Sequence, residues 1–242
     1  MLSQKEFPIS QIVGVFWELF KKGRSVTLKN SFHGLPVQYK ARISMIGQDC
    51  LAVVVHPHQV VCIALERRTV VSNKRLPMPV QAKPLSLDVK NGEVVLGRFK
   101  TLNQLSERRL VSRIEPLHPM PVTIIQRERR IEARLADLSL AGLGVLIEQN
   151  PGPLRLDPGG MAHLVFELPG LGVRLSLEGD VAYVHRKRGA QLYRAGFAIQ
   201  PGASDQEVLN EYLMHSRQEL LRELERLHQS MRKRKPKRVN LD

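Results

Sequence analysis

The sequence predicts a mainly β chain: two small antiparallel β-barrel domains, with a short helix at the start and a long helix at the end. Three observations carry this. Between Ser25 and Ile199 apolar residues alternate with polar ones in short runs, cut by Gly, Pro, Asn and Asp at intervals too close for helices. Only the segments from Ile9 and from Ser204 place apolar residues three and four apart. The alternation then lapses once, between about Phe99 and Arg108, which divides the strands into two sets. With 242 residues, 43% of them hydrophobic, the chain can bury a core in each.

From Ile9, the residues Ile12, Val13, Phe16, Leu19 and Phe20 line one helical face, with Trp17 on its flank, and Lys21-Lys22-Gly23 supplies a cationic last turn and a stop. This face is expected to pack on the adjoining strands, because the polar face is too poor in lysine for an interfacial anchor. Strands are expected at Ser25 to Lys29, Val37 to Ile46, Leu51 to Val55 and Gln59 to Leu65, a grammar that fits a small antiparallel barrel or sandwich. His56-Pro57-His58 reads as a turn, since two histidines across a proline lack a third ligand. Leu85 to Val89, Asn91-Gly92 and Val94 to Phe99 read as a hairpin with a type I′ turn that closes the first domain.

Six further strands are expected at Met120 to Gln126, Ile131 to Leu138, Gly144 to Glu148, His163 to Leu168, Val173 to Val184 and Tyr193 to Ile199. With no helices between them, a barrel is favoured over a parallel sheet. Ser204-Asp205-Gln206-Glu207 reads as a capping box opening a helix to about Arg232. Leu220, Leu224, Leu227 and Met231 form a seam on it that could pair two chains as a homodimer. The segment from Arg232 to Arg238 begins a disordered basic tail.

The formal charge is +14 with a pI near 10.2, which permits nucleic acid, anionic lipid, phosphorylated metabolites or an acidic partner. Nucleic acid is disfavoured: aromatic residues are only 5%, and neither an RNP-like aromatic strand nor a helix-turn-helix occurs. Cys50 and Cys62 lie in separate apolar runs and read as buried free thiols. The first residues lack the apolar core of a signal peptide, and no stretch is long and apolar enough to span a membrane, so a cytoplasmic protein is expected. No nucleophile elbow, metal-ligand cluster or carboxylate dyad appears, so neither an enzyme nor a metal site is expected.

Two segments concentrate the chemistry. Arg108, Arg109 and Arg113 place three guanidinium groups within six residues, with only Glu107 and Glu115 nearby, and such a cluster calls for an anion. Asp137 and Ser139 are two apart, hence on one face of an extended segment, and Gly142 lets backbone approach a ligand closely. Arginine pairs bidentately with phosphate or with guanine O6 and N7, and a carboxylate can accept from the guanine N1-H and N2-H₂ donors that adenine lacks. The group Arg127, Arg129, Arg130 and Arg134, interrupted by Glu128 and Glu132, reads as a strand's outer face with surface ion pairs. Gly142-x-Gly144 is no dinucleotide fingerprint, because a strand follows it.

Arg109-x-x-x-Arg113 followed by Asp137-x-Ser139-x-x-Gly142 resembles the paired signature of the PilZ family of cyclic di-GMP receptors, over about Leu105 to Gln200. The first hundred residues more loosely resemble the domain that precedes PilZ in flagellar brake (YcgR-type) proteins. The resemblance implies domains at 1–104 and 105–231, a tail at 232–242, and a cyclic di-GMP site at Arg108, Arg109, Arg113, Asp137, Ser139 and Gly142. Arg108, immediately before the motif, resembles the form that holds the nucleotide as a stacked pair. Other than that ligand no cofactor is implied. An arginine-bearing connector at a domain junction would let binding move one domain against the other and pass the signal to a protein partner. The brake-like architecture implies flagellar motor or stator components, and swimming, as the output; polysaccharide synthesis or secretion is the alternative.

Overall fold

The computed structural model describes residues 8–102, 113–148, 156–186 and 192–233. The predicted tail beyond Lys233 lies outside them. The fold is mainly β, as expected, with two closed six-stranded antiparallel barrels and, among the described residues, three helices. The chain divides into two compact units, Met1–Phe32 with Pro36–Arg108 and Leu221–Asp242, and His33–Leu35 with Arg109–Leu220.

In the first unit the strands are β1 (Ser25–Phe32), β2 (Leu35–Ile46), β3 (Cys50–Val54), β4 (Thr69–Ser72), β5 (Val80–Asp88) and β6 (Glu93–Thr101). They close in the order β1-β2-β3-β6-β5-β4. Helix α1 (Ile9–Lys21) buries Ile12, Val13, Phe16 and Leu19. Phe16 meets Phe99 with ring centroids 5.5 Å apart, and removing a ring so enclosed costs about 3–5 kcal/mol. Phe20, placed on the packed face by periodicity, instead stands 38% exposed, its ring edge to face with that of Trp17 on the flank, which is 43% exposed.

The segment from Gln59 is not a strand. It lies in helix α2 (Pro57–Glu66), whose N-cap is His56, with proline in the first turn and Arg67 closing the end in the left-handed region. An apolar run this short fits either period, and the preorganised Pro57 decides for a helix. The hairpin after β5 also differs from expectation. Asp88 pairs with Glu93, so the loop has four residues, and its positive φ falls on Gly92 and not on Asn91. The Asp88 carboxylate accepts from the Lys90 and Asn91 N–H groups and replaces the type I′ geometry.

The second barrel comprises β7 (Pro121–Gln126), β8 (Arg129–Ser139), β9 (Gly142–Glu148), β10 (Met161–Leu168), β11 (Val173–Arg186) and β12 (Leu192–Ile199), closed in the order β10-β11-β12-β9-β8-β7. All six expected strands are present. Val122, Ile124, Leu143, Val145, Leu164 and Phe197 are among the side chains filling it. Helix α3 (Ala203–Lys233) begins two residues earlier than a capping box at Ser204 requires, so Ser204 sits in the first turn. Its Leu209 and Tyr212 join the second barrel's core. Leu220 and Leu224, half of the expected dimer seam, are buried within the single chain, which removes them from any exposed stripe.

Cys62 is buried as expected, but Cys50 is only half-buried, and both are free thiols. Arg130 pairs with Glu132, Arg134 with Glu148 and Arg127 with Asp157, as expected for an outer face. Among the described residues no helix is long and apolar enough to cross a membrane.

Candidate functional site

Strand alternation alone would send Asp137 into the barrel beside Leu135. Between these two residues, however, the register of β8 against β9 shifts by one, a bulge at Ala136. Leu135 and Leu138 therefore both reach the core, and Asp137 turns to the outer face opposite Gly144. A second bulge lies on β11 between Val181 and Tyr183 and does the same for Tyr183, which pairs with Gly196. Gly144 pairs in turn with Gly196. The outer face thus carries one row across four strands: Asp137, Gly144, Gly196, Tyr183.

Both glycines are required there by side chains leaning over them. A Cβ on Gly144 would stand 2.8 Å from Asp137 Oδ2, and one on Gly196 would strike the Tyr183 ring. The row is a backbone floor over which a carboxylate leans from one end and a phenol from the other. The Tyr183 ring stacks on His185, with centroids 5.1 Å apart.

Asp137 is an enclosed acid, its side chain 4% exposed, and each of its oxygens is taken by a different arginine. Arg113 Nη1 donates to Oδ1 at 3.0 Å, and Arg194 Nη2 donates to Oδ2. Arg113 is held in place because Ile114 exchanges two backbone hydrogen bonds with Leu138, both 2.9 Å, which lays the segment after the arginine motif along β8. Arg194 stands on β12, two residues from Gly196 and on the same face. Burial works against its charge, but the Asp137 carboxylate and the Tyr183 hydroxyl outweigh it, and its pKa is raised.

The Ser139 hydroxyl is buried and donates to the Gly142 carbonyl at 2.9 Å. It ties the β8–β9 turn in this state. A Cβ on Gly142 would stand 2.6 Å from the Phe197 carbonyl and 3.5 Å from Arg113 Nη2, so this glycine is needed for strand approach as well as for access. Arg108 and Arg109 lie outside the described residues. Of the six residues expected in the site, Arg113, Asp137, Ser139 and Gly142 are therefore brought together. Reading the sequence alone passed over Arg194, Tyr183, Gly144 and Gly196. Their only signals were an Arg-x-Gly in the last strand and a glycine two beyond Gly142, and both needed the strand register to be read.

Beside the row lies an open groove of about 390 Å³, lined in part by Glu115, His118, Arg134, Ala136, Leu146 and Arg194. Its size is in the range of small-molecule sites, about 300–1,000 Å³. What the arrangement offers chemically is one acceptor-only group, two guanidinium groups reaching solvent, and an aromatic wall. Such a set suits an anion carrying a planar base with a donor edge.

His56-Pro57-His58 belongs elsewhere, in the first unit. His56 Nδ1 caps α2 by accepting from the His58 N–H at 3.2 Å, and its ring stacks on Tyr39 with centroids 3.8 Å apart. Tyr39 Oη lies 3.2 Å from His58 Nδ1, and His228 Nε2 lies 3.4 Å from the Val89 carbonyl. Burial lowers the pKa of both His56 and His58; for His56 the neighbouring His58 and His228 lower it further. Among the described residues no group of three or more His, Cys, Asp and Glu is arranged to hold a metal ion.

Residues 103–215 match the family model described as the PilZ domain. No curated protein matches the chain. Among solved structures, the chain is similar to YcgR from Escherichia coli in complex with c-di-GMP, at 16% identity and a TM-score of 0.44, covering 92% of this chain and 96% of that one. It is also similar to the MrkH–c-di-GMP complex of K. pneumonia, at 13% identity and a TM-score of 0.43, covering 89% and 97%. A third is the Bacillus subtilis inhibitor of motility MotI/DgrA, at 16% identity and a TM-score of 0.37, covering 88% and 99%.

Proposed function

We propose that this chain, whose residues 103–215 are a PilZ domain, is a receptor for cyclic di-GMP that rearranges its two domains on binding and regulates flagellar motility through a protein partner. The observation that carries the reading is the ion pair between Arg113 and Asp137. The two motif halves lie 24 residues apart in the chain and meet in one place. Arg109 and Arg113 supply cations for the phosphates, with Arg108 before them favouring a stacked pair of nucleotides. Asp137 accepts from the guanine N1-H and N2-H₂ edge, Ser139 sets the turn beneath it, and Gly142 leaves the base room. Nothing in this set cleaves a bond; it is a binding site.

The domain division taken for this reading is 1–104, 105–231 and a basic tail at 232–242, in the cytoplasm at the flagellar basal body. Motility as the output follows the resemblance of the first domain to that of flagellar brake proteins. Swimming in a deletion strain, complemented by the wild type and by Arg113→Ala, separates it from an effect on polysaccharide synthesis.

The test of the site is a calorimetric titration with cyclic di-GMP, with GTP and cyclic di-AMP as controls. Arg113→Ala is expected to lose about 2–5 kcal/mol of binding, which is more than about tenfold in affinity. No binding by the wild type, or equal binding by both proteins, defeats the proposal. The net charge of +14 supports a second reading, nucleic-acid binding. Tight, steeply salt-dependent binding to a random duplex that cyclic di-GMP leaves unchanged would favour it.

A further inference from the structure

Both oxygens of Asp137 already have partners, and this makes Arg194 more than a neighbour of the site. We propose that Arg194 is its specificity-determining residue: an internal cation that holds the Asp137 carboxylate and yields it only to a ligand bringing both a guanine edge and a phosphate. The inference rests on the cyclic di-GMP reading above and deepens it.

A guanine read through N1-H and N2-H₂ presents two donors side by side and needs two acceptor oxygens. Arg113 occupies Oδ1 and Arg194 occupies Oδ2. Each oxygen keeps a second lone pair, but the side chain is only 4% exposed, so one guanidinium must swing aside before a base can reach it. Arg113 is the more enclosed of the two, 27% exposed against 39% for Arg194, and its chain is stitched to β8 through Ile114. Arg194 stands beside Gly144 and Gly196, which bring no side chains of their own, and the groups leaning over them are its own two partners, Asp137 and Tyr183. Arg194 is therefore the group that moves.

Its departure has a condition. A guanidinium taken off an enclosed carboxylate can turn to water only by giving up its ion pair, a loss that another anion offsets, and the carboxylate left behind needs new donors. A guanine nucleoside supplies the donors but no anion for Arg194. An adenine dinucleotide supplies the anion but no donor pair for Asp137. Only a guanine phosphate satisfies both groups in one exchange, so discrimination comes from an occupant already in the site as well as from the contacts the ligand makes.

The measurement is the dissociation constant of guanosine, read by saturation-transfer NMR on the full chain, beside the constant for cyclic di-GMP. In Arg194→Gln, guanosine is expected to bind about tenfold more tightly than to the wild type, because the competing cation is gone. Arg194→Lys, which keeps the charge, should leave guanosine weak. Tyr183→Phe, which releases Arg194 from its second partner without altering Asp137, should tighten guanosine in the same direction by less. Guanosine binding to Arg194→Gln that is unchanged, weaker or undetectable overturns the inference while leaving the receptor reading intact. A wild type that fails to bind cyclic di-GMP overturns the receptor reading and the inference with it.

Discussion

Asp137→Asn keeps the shape of the side chain and removes the charge between two arginines. A carboxamide presents one acceptor oxygen, so it can keep one guanidinium and must turn an NH₂ toward the other. The loss is then one charge-assisted hydrogen bond, about 1.5–3 kcal/mol. Removing one partner of a fully buried pair costs about 3–5 kcal/mol. That upper figure does not apply here, because Arg113 is 27% and Arg194 39% exposed and both can turn to water, which also screens them. A destabilisation of about 2 kcal/mol is expected. For a domain of this size that lowers the melting midpoint by about 8 °C. Scanning calorimetry at low salt and again near 1 M salt reads it, and the difference should shrink at high salt because the ion pairs reach solvent. The same variant should bind cyclic di-GMP more than about tenfold more weakly. An unchanged midpoint together with an unchanged titration would refute the assignment of Asp137 as the site's electrostatic centre.

Gly142→Ala sets a methyl group 2.6 Å from the Phe197 carbonyl, where backbone must give way; a loss of about 1–3 kcal/mol is expected, read as a lower urea midpoint with unchanged slope. His56 and His58 have lowered pKa values, through burial first and, for His56, the His58 and His228 charges next. Their contribution is therefore whole above the unfolded value of 6.5 and is lost as pH falls from there through the lowered folded value, while the unfolded chain takes up protons that the folded one resists. The groups facing them are Tyr39, His228 and Glu225, and the last works in the opposite sense on His58. His56→Asn, which caps α2 without titrating, should flatten the fall in melting midpoint below about pH 6.5; an identical slope in the variant would count against it. Burial pushes the Cys62 thiol up to about 12, so a thiol reagent should label Cys50 first and Cys62 only on unfolding. Equal labelling rates in the native protein would contradict this.

The second barrel was legible because its strands are cut by turn residues at fixed places, such as Gly159, Gly170 and Gly172, all with positive φ. The first barrel was misread at Gln59, where a continuous apolar run carries no period and Pro57 outranked it. Phe20 was misplaced because helical periodicity marks a stripe but not its width. The motif residues Arg113 and Asp137 could be found as letters, whereas their meeting could not. Arg194 and Tyr183 lie on β12 and β11, more than 40 residues further along, and only strand pairing brings them beside Asp137. No one-dimensional pattern marks that row.

The bulge at Ala136 makes the binding face depend on a count of residues rather than on their kinds. Were β8 to keep Ala136 but pair with β9 without the bulge, the carboxylate would swing inward among Leu135, Val145 and Leu164, leaving both arginines outside without it. Replacing Ala136 by another small residue should change little. The face that Asp137 takes is therefore set by how β8 registers against β9, and not by which small residue stands at position 136. The matching irregularity on β11 extends the rule to Tyr183, so the two walls of the site are kept in phase by two separate one-residue insertions.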